Sequence, residues 1–296
     1  MRHAFAILER APLDMDERLG RALGRLAFRL GWRRQVVETQ LAQAFPDRGE
    51  DWVRRTALAT FEHVGQEAVT LAPLLRAGLD EVRRRVEVFE GREALQAALD
   101  EGRGAVVVSG HFGNWEVAGS VLAAFGFPVD AVMQSLKNRW LSRYVEEMRS
   151  RLGMGLIDRA GAFGRSLERL AAGRVVAFVA DQDARSRGVF VPFFGRLAST
   201  HGAPAALALR ARAPLFVGGT HRIGPRHYHA WLVRLWPRED AAVGEQTLDL
   251  TCQWVSELER RVRLYPEQYF WHHKRWKTAP PGTGERAPGI RIDTKG

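Results

Sequence analysis

The sequence predicts an α/β fold: a central, mostly parallel sheet flanked by helices, preceded by an N-terminal helical region. Three observations carry this. From about residue 84 onward, short β-rich runs alternate with helical stretches, the pattern of strands joined by crossover helices. Two of those runs, Ala105–Ser109 and Val175–Ala180, are continuously apolar, as strands covered on both faces must be. Before residue 84 the apolar residues recur at helical spacing instead.

The N-terminal region, taken as residues 1–80, reads as helical from about 14 to 76. In its first helix Leu19, Leu23, Leu26 and Leu30 step by four, three and four, while Arg18, Arg21, Arg25 and Arg29 step by three, four and four. At about 100° per residue these stripes lie roughly 125° apart. Such a helix suits an anionic membrane surface. It equally suits packing of the Leu stripe on the domain with the Arg stripe in water. The α/β domain, taken as 81–278, has expected strands at Val86–Phe89, Ala105–Ser109, Val129–Met133, Val175–Ala180, Pro214–Thr220 and Tyr228–Leu235. Helices are expected near 91–101, 115–126, 138–152, 161–172, 201–212 and 246–264. The Pro- and Gly-rich tail, 279–296, is expected to be loose.

With 46 % apolar and 26 % charged residues over 296 positions, the composition excludes disordered, collagenous and disulfide-scaffold classes. The single cysteine, Cys252, has no partner for an internal bridge and reads as structural. Lys and Arg number 44 against 34 Asp and Glu, a net charge of +10. Only Lys137, Lys274, Lys277 and Lys295 are lysines, so Arg carries the excess. Such a surface favours an acidic partner: nucleic acid, anionic lipid headgroups or an acidic carrier protein. No apolar run approaches the roughly 18 residues of a membrane span, so no transmembrane helix is expected. Glu9, Arg10, Asp14, Asp16 and Glu17 interrupt any signal-peptide core, which predicts a peripheral protein on the cytoplasmic face of the membrane.

The chemistry collects where strands end. Ser109-Gly-His-Phe-Gly-Asn-Trp-Glu116 directly follows the buried run Ala105–Ser109. Gly110 and Gly113 permit a tight turn, and a helix starts at Asn114 or Trp115, presenting free backbone N–H groups to a developing oxyanion. There His111 can take a proton from a hydroxyl while Glu116 holds its tautomer. The bare His-x4-acid spacing occurs about once by chance in a chain of this composition, so its position is what singles it out. A second polar cluster, Asp181-Gln182-Asp183, follows the next buried run; it suits a polar headgroup, support for His111, or a turn cap. Lys137, Arg139, Arg143, Arg149 and Arg151 offer phosphate binding or simply a solvated helix face. Gly188–Gly195 is strongly aromatic, suiting an acyl-chain channel or core packing. Tyr269–Lys277 mixes aromatics with bases, as at a membrane interface or a nucleic-acid surface.

These blocks together resemble the lipid A late acyltransferases of the lysophospholipid acyltransferase superfamily. The resemblance rests on SGHFGNWE at 109–116, Gly102-Arg-Gly104, RSRLGMGLIDR at 149–159, Asp181-Gln-Asp183 with VFVPFFG at 189–195, and YPEQYFWHHKRWKT at 265–278. It implies an acyltransferase moving a fatty acyl group from a thioester of acyl carrier protein or coenzyme A to a lipid hydroxyl, with no metal and no organic cofactor. Carried onto this chain, it makes His111 the general base and Glu116 its orienting carboxylate. Asn114, Lys137, Arg149, Asp181, Gln182 and Asp183 become substrate-binding positions. The basic surface then meets anionic lipid and the carrier protein rather than nucleic acid. Two departures stand out. Many relatives begin with a transmembrane helix where this chain has an amphipathic one. The position of a frequent Arg is taken by Gln134, which leaves the acceptor open between lipid A precursors and other glycolipids. A hydrolase using the same dyad, and a non-catalytic basic binding protein, are the competing readings.

Overall fold

The computed structural model describes residues 16–134 and 138–281. Four helices lead the chain: α1 (Asp16–Arg29), α2 (Arg34–Ala44), α3 (Glu50–Ala77) and α4 (Leu79–Arg85). The α/β part follows as β1 (Val86–Glu90), α5 (Arg92–Asp100), β2 (Ala105–Ser109), α6 (Trp115–Ala124), β3 (Val129–Met133), α7 (Arg139–Arg151), β4 (Gly155–Asp158), α8 (Ala162–Ala171) and β5 (Val175–Val179). A hairpin, β6 (Val189–Phe193) and β7 (Arg196–Thr200), precedes α9 (Ala203–Ala211), β8 (Leu215–Gly224), β9 (His227–Leu235) and α10 (Val243–Leu264). All six expected strands form. Two things were not foreseen: β4, only four residues long at the sheet edge, and the hairpin, whose aromatic content hid its alternation.

Seven strands lie in the order β1-β9-β8-β2-β5-β3-β4. Every neighbouring pair is parallel except β8 and β9, whose antiparallel ladder runs from Leu215↔Leu235 to Gly224↔His227. Burial explains the central run. Val106 and Val108 of β2 face a core shared with Val176, Leu215 and Val217, while Ala105 and Val107 face the opposite core with Val121, Val175 and Phe216. Side chains alternate across a strand, so a strand with helices on both sides needs an unbroken apolar run. Phe28, Val37, Leu41 and Phe61 of the N-terminal helices belong to the first of these cores, together with Trp271 and Trp276 from the C-terminal segment.

α1 packs by neither of the stripes singled out in its sequence. Gly20 and Gly24 lie directly on the backbone of α3 around Phe61, Gly65 and Gln66, with no room for a Cβ at any of the three glycines. Phe28 completes that face and meets Phe61 edge-on, 5.5 Å between centroids. The Leu stripe is therefore turned outward: Leu23, Leu26 and Leu30 are exposed, and Trp32 beside them is 59 % exposed. No helix among the described residues is long and apolar enough to cross a membrane.

Candidate active site

Strand register builds the site. β2 and β5 are adjacent and parallel, with Ser109 opposite Val179. Two residues beyond those partners lie His111 and Asp181, so the register brings together residues 70 apart in sequence. Asp181 is fully buried and its carboxylate grips the turn twice. His111 Nδ1 donates to Oδ1 at 2.5 Å, and the His111 backbone N–H donates to Oδ2 at 2.9 Å. Burial alone would raise the Asp181 carboxyl; the His111 ring and its bonds, helped by His273, hold it far below the usual carboxylate range. A carboxylate can only accept, so Nδ1 carries the ring proton and Nε2 keeps its lone pair. That Nε2 accepts from Gln182 Nε2 at 3.3 Å, and the same amide donates to His273 Nε2 at 3.0 Å. The His111 side chain is 15 % exposed, so the basic nitrogen is within reach of a ligand.

The turn that carries His111 is bonded at every step. Phe270 N–H donates to the His111 carbonyl, Gly113 N–H to the Gln268 carbonyl, and Thr220 Oγ1 to the Asn114 carbonyl at 2.8 Å. Gly113 adopts φ +57°, and a Cβ there would collide with the Thr220 carbonyl; glycine is required on both counts. Asn114 caps α6, its Oδ1 accepting from Val117 N–H at 3.0 Å.

The sequence-predicted residues are thereby sorted. His111, Asp181 and Gln182 converge. Glu116 does not hold the imidazole: it lies in the first turn of α6, where α7 is the neighbour. Its carboxylate accepts from Arg149 Nη2 at 2.7 Å and Nε at 2.9 Å. The carboxylate bonded to His111 is that of Asp181. Asn114 is 4 % exposed and spends its side chain on the cap and on Glu67, so it does not face a substrate. Asp183 accepts from Thr278 Oγ1 at 2.9 Å, a bond that ties down the C-terminal segment. Lys137 lies outside the described residues. His273 and Gln268 were missed; both sit in Tyr269–Lys277 or just before it, a segment whose role as a strap over the His111 turn only tertiary structure reveals.

A cavity of about 70 Å³, mostly apolar, lies between α6 and the sheet, and Ser109 and Trp115 on either side of the His111 turn are among its lining residues. Small residues from several strands and α6, Gly119, Ala131, Ala177 and Gly219 among them, leave the space that larger side chains such as Phe178, Met154 and Trp231 enclose. Its polar lining includes Ser109, Thr220 and the Glu116–Arg149 pair, and Phe89, Leu122 and Leu232 belong to its apolar wall.

A histidine held by a buried aspartate at adjacent parallel strand ends, near a mostly apolar cavity, has the parts of an enzyme that works by general-base chemistry. A model of the bacterial lipid A biosynthesis acyltransferases matches residues 3–278, and the chain belongs to that family. It is an acyltransferase, and acyl transfer to a glycolipid is the reaction of its class. Among its relatives, a phosphatidylinositol mannoside acyltransferase of Mycolicibacterium smegmatis is 29 % identical over 75 % of this chain and 71 % of its own. A lipid A biosynthesis lauroyltransferase of Escherichia coli is 28 % identical over 93 % and 89 %, and a palmitoleoyltransferase of the same organism 26 % over 89 % and 85 %.

Proposed function

We propose that the protein transfers a fatty acyl group from the thioester of acyl carrier protein or coenzyme A to a hydroxyl of a glycolipid, with His111 as general base oriented by Asp181. The observation that carries this reading is the 2.5 Å bond from His111 Nδ1 to a fully buried carboxylate, which leaves Nε2 basic at the site surface. The acceptor hydroxyl displaces the Gln182 amide from Nε2 and gives its proton to it. Its oxygen attacks the thioester carbonyl, and the imidazolium that forms is stabilised by Asp181. The displaced Gln182 N–H is then available to the oxyanion. Collapse of the tetrahedral adduct breaks the C–S bond, and the departing thiolate takes the proton back from His111.

The apolar cavity is the acyl-chain site in this reading, because its lining is mostly apolar, with Ser109, Thr220 and the Glu116–Arg149 pair as its polar part. The acceptor is a phosphorylated glycolipid, a lipid A precursor or a relative of it. Gln134 stands where many relatives carry Arg, but Arg159 at the end of β4 donates to its Oε1 at 2.9 Å and so returns a guanidinium to that place. The exposed Leu23, Leu26, Leu30 and Trp32, flanked by Arg21, Arg25 and Arg29, would seat α1 on the anionic cytoplasmic face of the membrane.

Mass spectrometry of lipids after incubation of a membrane extract with a labelled chain on acyl carrier protein, and in parallel on coenzyme A, tests the proposal. A labelled glycolipid made by wild type and not by His111→Ala is the expected result. Labelled free fatty acid alone would replace transfer by hydrolysis, and no His111-dependent product from either donor would overturn it.

A further inference from the structure

A stripe of polar residues runs along α3 at spacings of four, three, four and three: Thr56, Thr60, His63, Glu67 and Thr70, all buried. On a helix such spacing defines one face. Buried polar residues along a face need partners: Thr60 bonds back to the Thr56 carbonyl and Thr70 accepts from Arg222, while His63 and Glu67 reach the His111 turn. Glu67 is the centre. Its Oε1 accepts from Arg222 Nε at 2.6 Å, and its Oε2 accepts from Tyr228 OH at 2.7 Å and from Asn114 Nδ2 at 2.6 Å. Burial would raise this carboxyl, but Arg222 and His63, with the bonds from Arg222 and Tyr228, keep it ionised and below its ordinary value. One turn earlier, His63 Nε2 donates to the Gly113 carbonyl at 3.3 Å. On the other side, Arg222 N–H donates to Gln268 Oε1 at 2.9 Å, Gln268 Nε2 donates back to the Arg222 carbonyl at 2.8 Å, and the Gln268 carbonyl accepts from Gly113 N–H.

We propose that Glu67 is a positioning residue for His111, acting through the amide of Asn114. The capping side chain of Asn114 has two ends. Oδ1 starts α6, and Nδ2 donates to Glu67. Asp181 fixes the front of the turn at His111 and Glu67 fixes its back at Asn114, so the imidazole is clamped from both ends of a four-residue segment. This rests on the reading of His111 as the base, and it assigns a task in the reaction to a helix of the N-terminal region. Displacing a base by even an ångström costs up to roughly a hundredfold in rate.

The full-length protein tests this with two variants of the same cluster. Glu67→Gln keeps the shape but sets an N–H or a weaker acceptor against one of three donors. Tyr228→Phe removes a donor to the same carboxylate and leaves the bond to Asn114 intact. With dodecanoyl coenzyme A as donor and a membrane lipid extract as acceptor, Glu67→Gln should lower kcat roughly 10- to 100-fold. The donor KM should move less than twofold, and Tyr228→Phe should leave kcat within twofold. Ring signals of His111 in histidine-labelled protein, assigned by their loss in His111→Ala, supply a readout that needs no turnover. They should shift or broaden in Glu67→Gln and stay in place in Tyr228→Phe. Should Glu67→Gln fail to fold, Asn114→Ser keeps an oxygen to cap α6 and removes the Nδ2 donor to Glu67, with the same expected result. Unchanged His111 signals in the folded variant, or signals and kcat altered equally by Tyr228→Phe, would overturn the proposal. A wild type with no turnover but the expected ring shifts would sink the reaction while leaving the positioning intact.

Discussion

The site holds two carboxylates, each bonded to a nitrogen-bearing side chain, that look alike on paper and differ in what they join. Asp181 and His111 stand at the ends of adjacent parallel strands, with the aspartate fully buried and bonded to both the ring and the backbone of the turn. Glu116 and Arg149 join α6 to α7 by a two-bond fork, each about one-sixth exposed. The first pair fixes a tautomer and leaves a lone pair free; the second uses up both partners. Nearness in sequence favoured Glu116 as the partner of His111, but nearness in the sheet selects Asp181. In a parallel sheet the groups that meet are those equally far past register partners, which is a property of strand order and not of spacing along the chain.

Several changes separate the two pairs. The largest effect is expected for His111→Ala, which should lower the rate of acyl transfer at least 10³-fold by removing the base altogether; initial rates of labelled lipid formation measure it. Gly113→Ala should destabilise the fold by about 2–4 kcal/mol, because a Cβ meets the Thr220 carbonyl and the backbone sits at φ +57°. Denaturant unfolding would register that loss.

Acidification gives a smaller and graded effect. Burial pushes His221, His272 and His273 down to about 4. The unfolded chain takes up these protons from about pH 6.5 downward and the folded one does not. Their contribution is therefore intact above pH 6.5 and is lost as the pH falls from 6.5 to 4. A Tm lower by roughly 10 °C at pH 4.5 than at pH 7 is expected in thermal scans. Asp181 and Glu67, both held ionised, add to the loss at the acidic end of that window and below it.

The mildest change to the fold concerns α1. Leu30→Asp alters a residue 75 % exposed, so stability should stay within about 0.5 kcal/mol. Binding to phosphatidylglycerol vesicles should fall about tenfold, and that of wild type should weaken as salt rises. Binding insensitive to both would remove α1 from the membrane surface and leave its apolar stripe without an occupant.

Much of the fold could be read from the chain, since continuous apolar runs such as Ala105–Ser109 leave few alternatives to a buried strand. The turn at His111 was legible for the same reason: glycines between a buried strand and a helix start have a narrow range of conformations. What stayed hidden depends on long-range placement. Asp181 could be seen as polar at a strand end, but its pairing with His111 needed the β2–β5 register. The polar stripe from Thr56 to Thr70 was not singled out, because nothing local says that this face of the helix is buried. On α1 the Leu and Arg stripes drew attention, whereas the helix packs through Gly20 and Gly24, because only glycine lets two helix backbones approach so closely. In each case the residue type was apparent and the surface it meets was not.

The most direct test compares Asp181→Asn with Glu116→Gln in one acyl-transfer assay, both purified and checked for folding. Asn cannot hold Nδ1 protonated in the same way or stabilise the imidazolium, so Asp181→Asn should lower kcat roughly 10³-fold. Glu116→Gln, which only loosens Arg149 beside the apolar cavity, should lower it about tenfold or less. The reverse order, with Glu116→Gln the more damaging and Asp181→Asn near wild type, would contradict the assignment of Asp181 as the residue that orients the base.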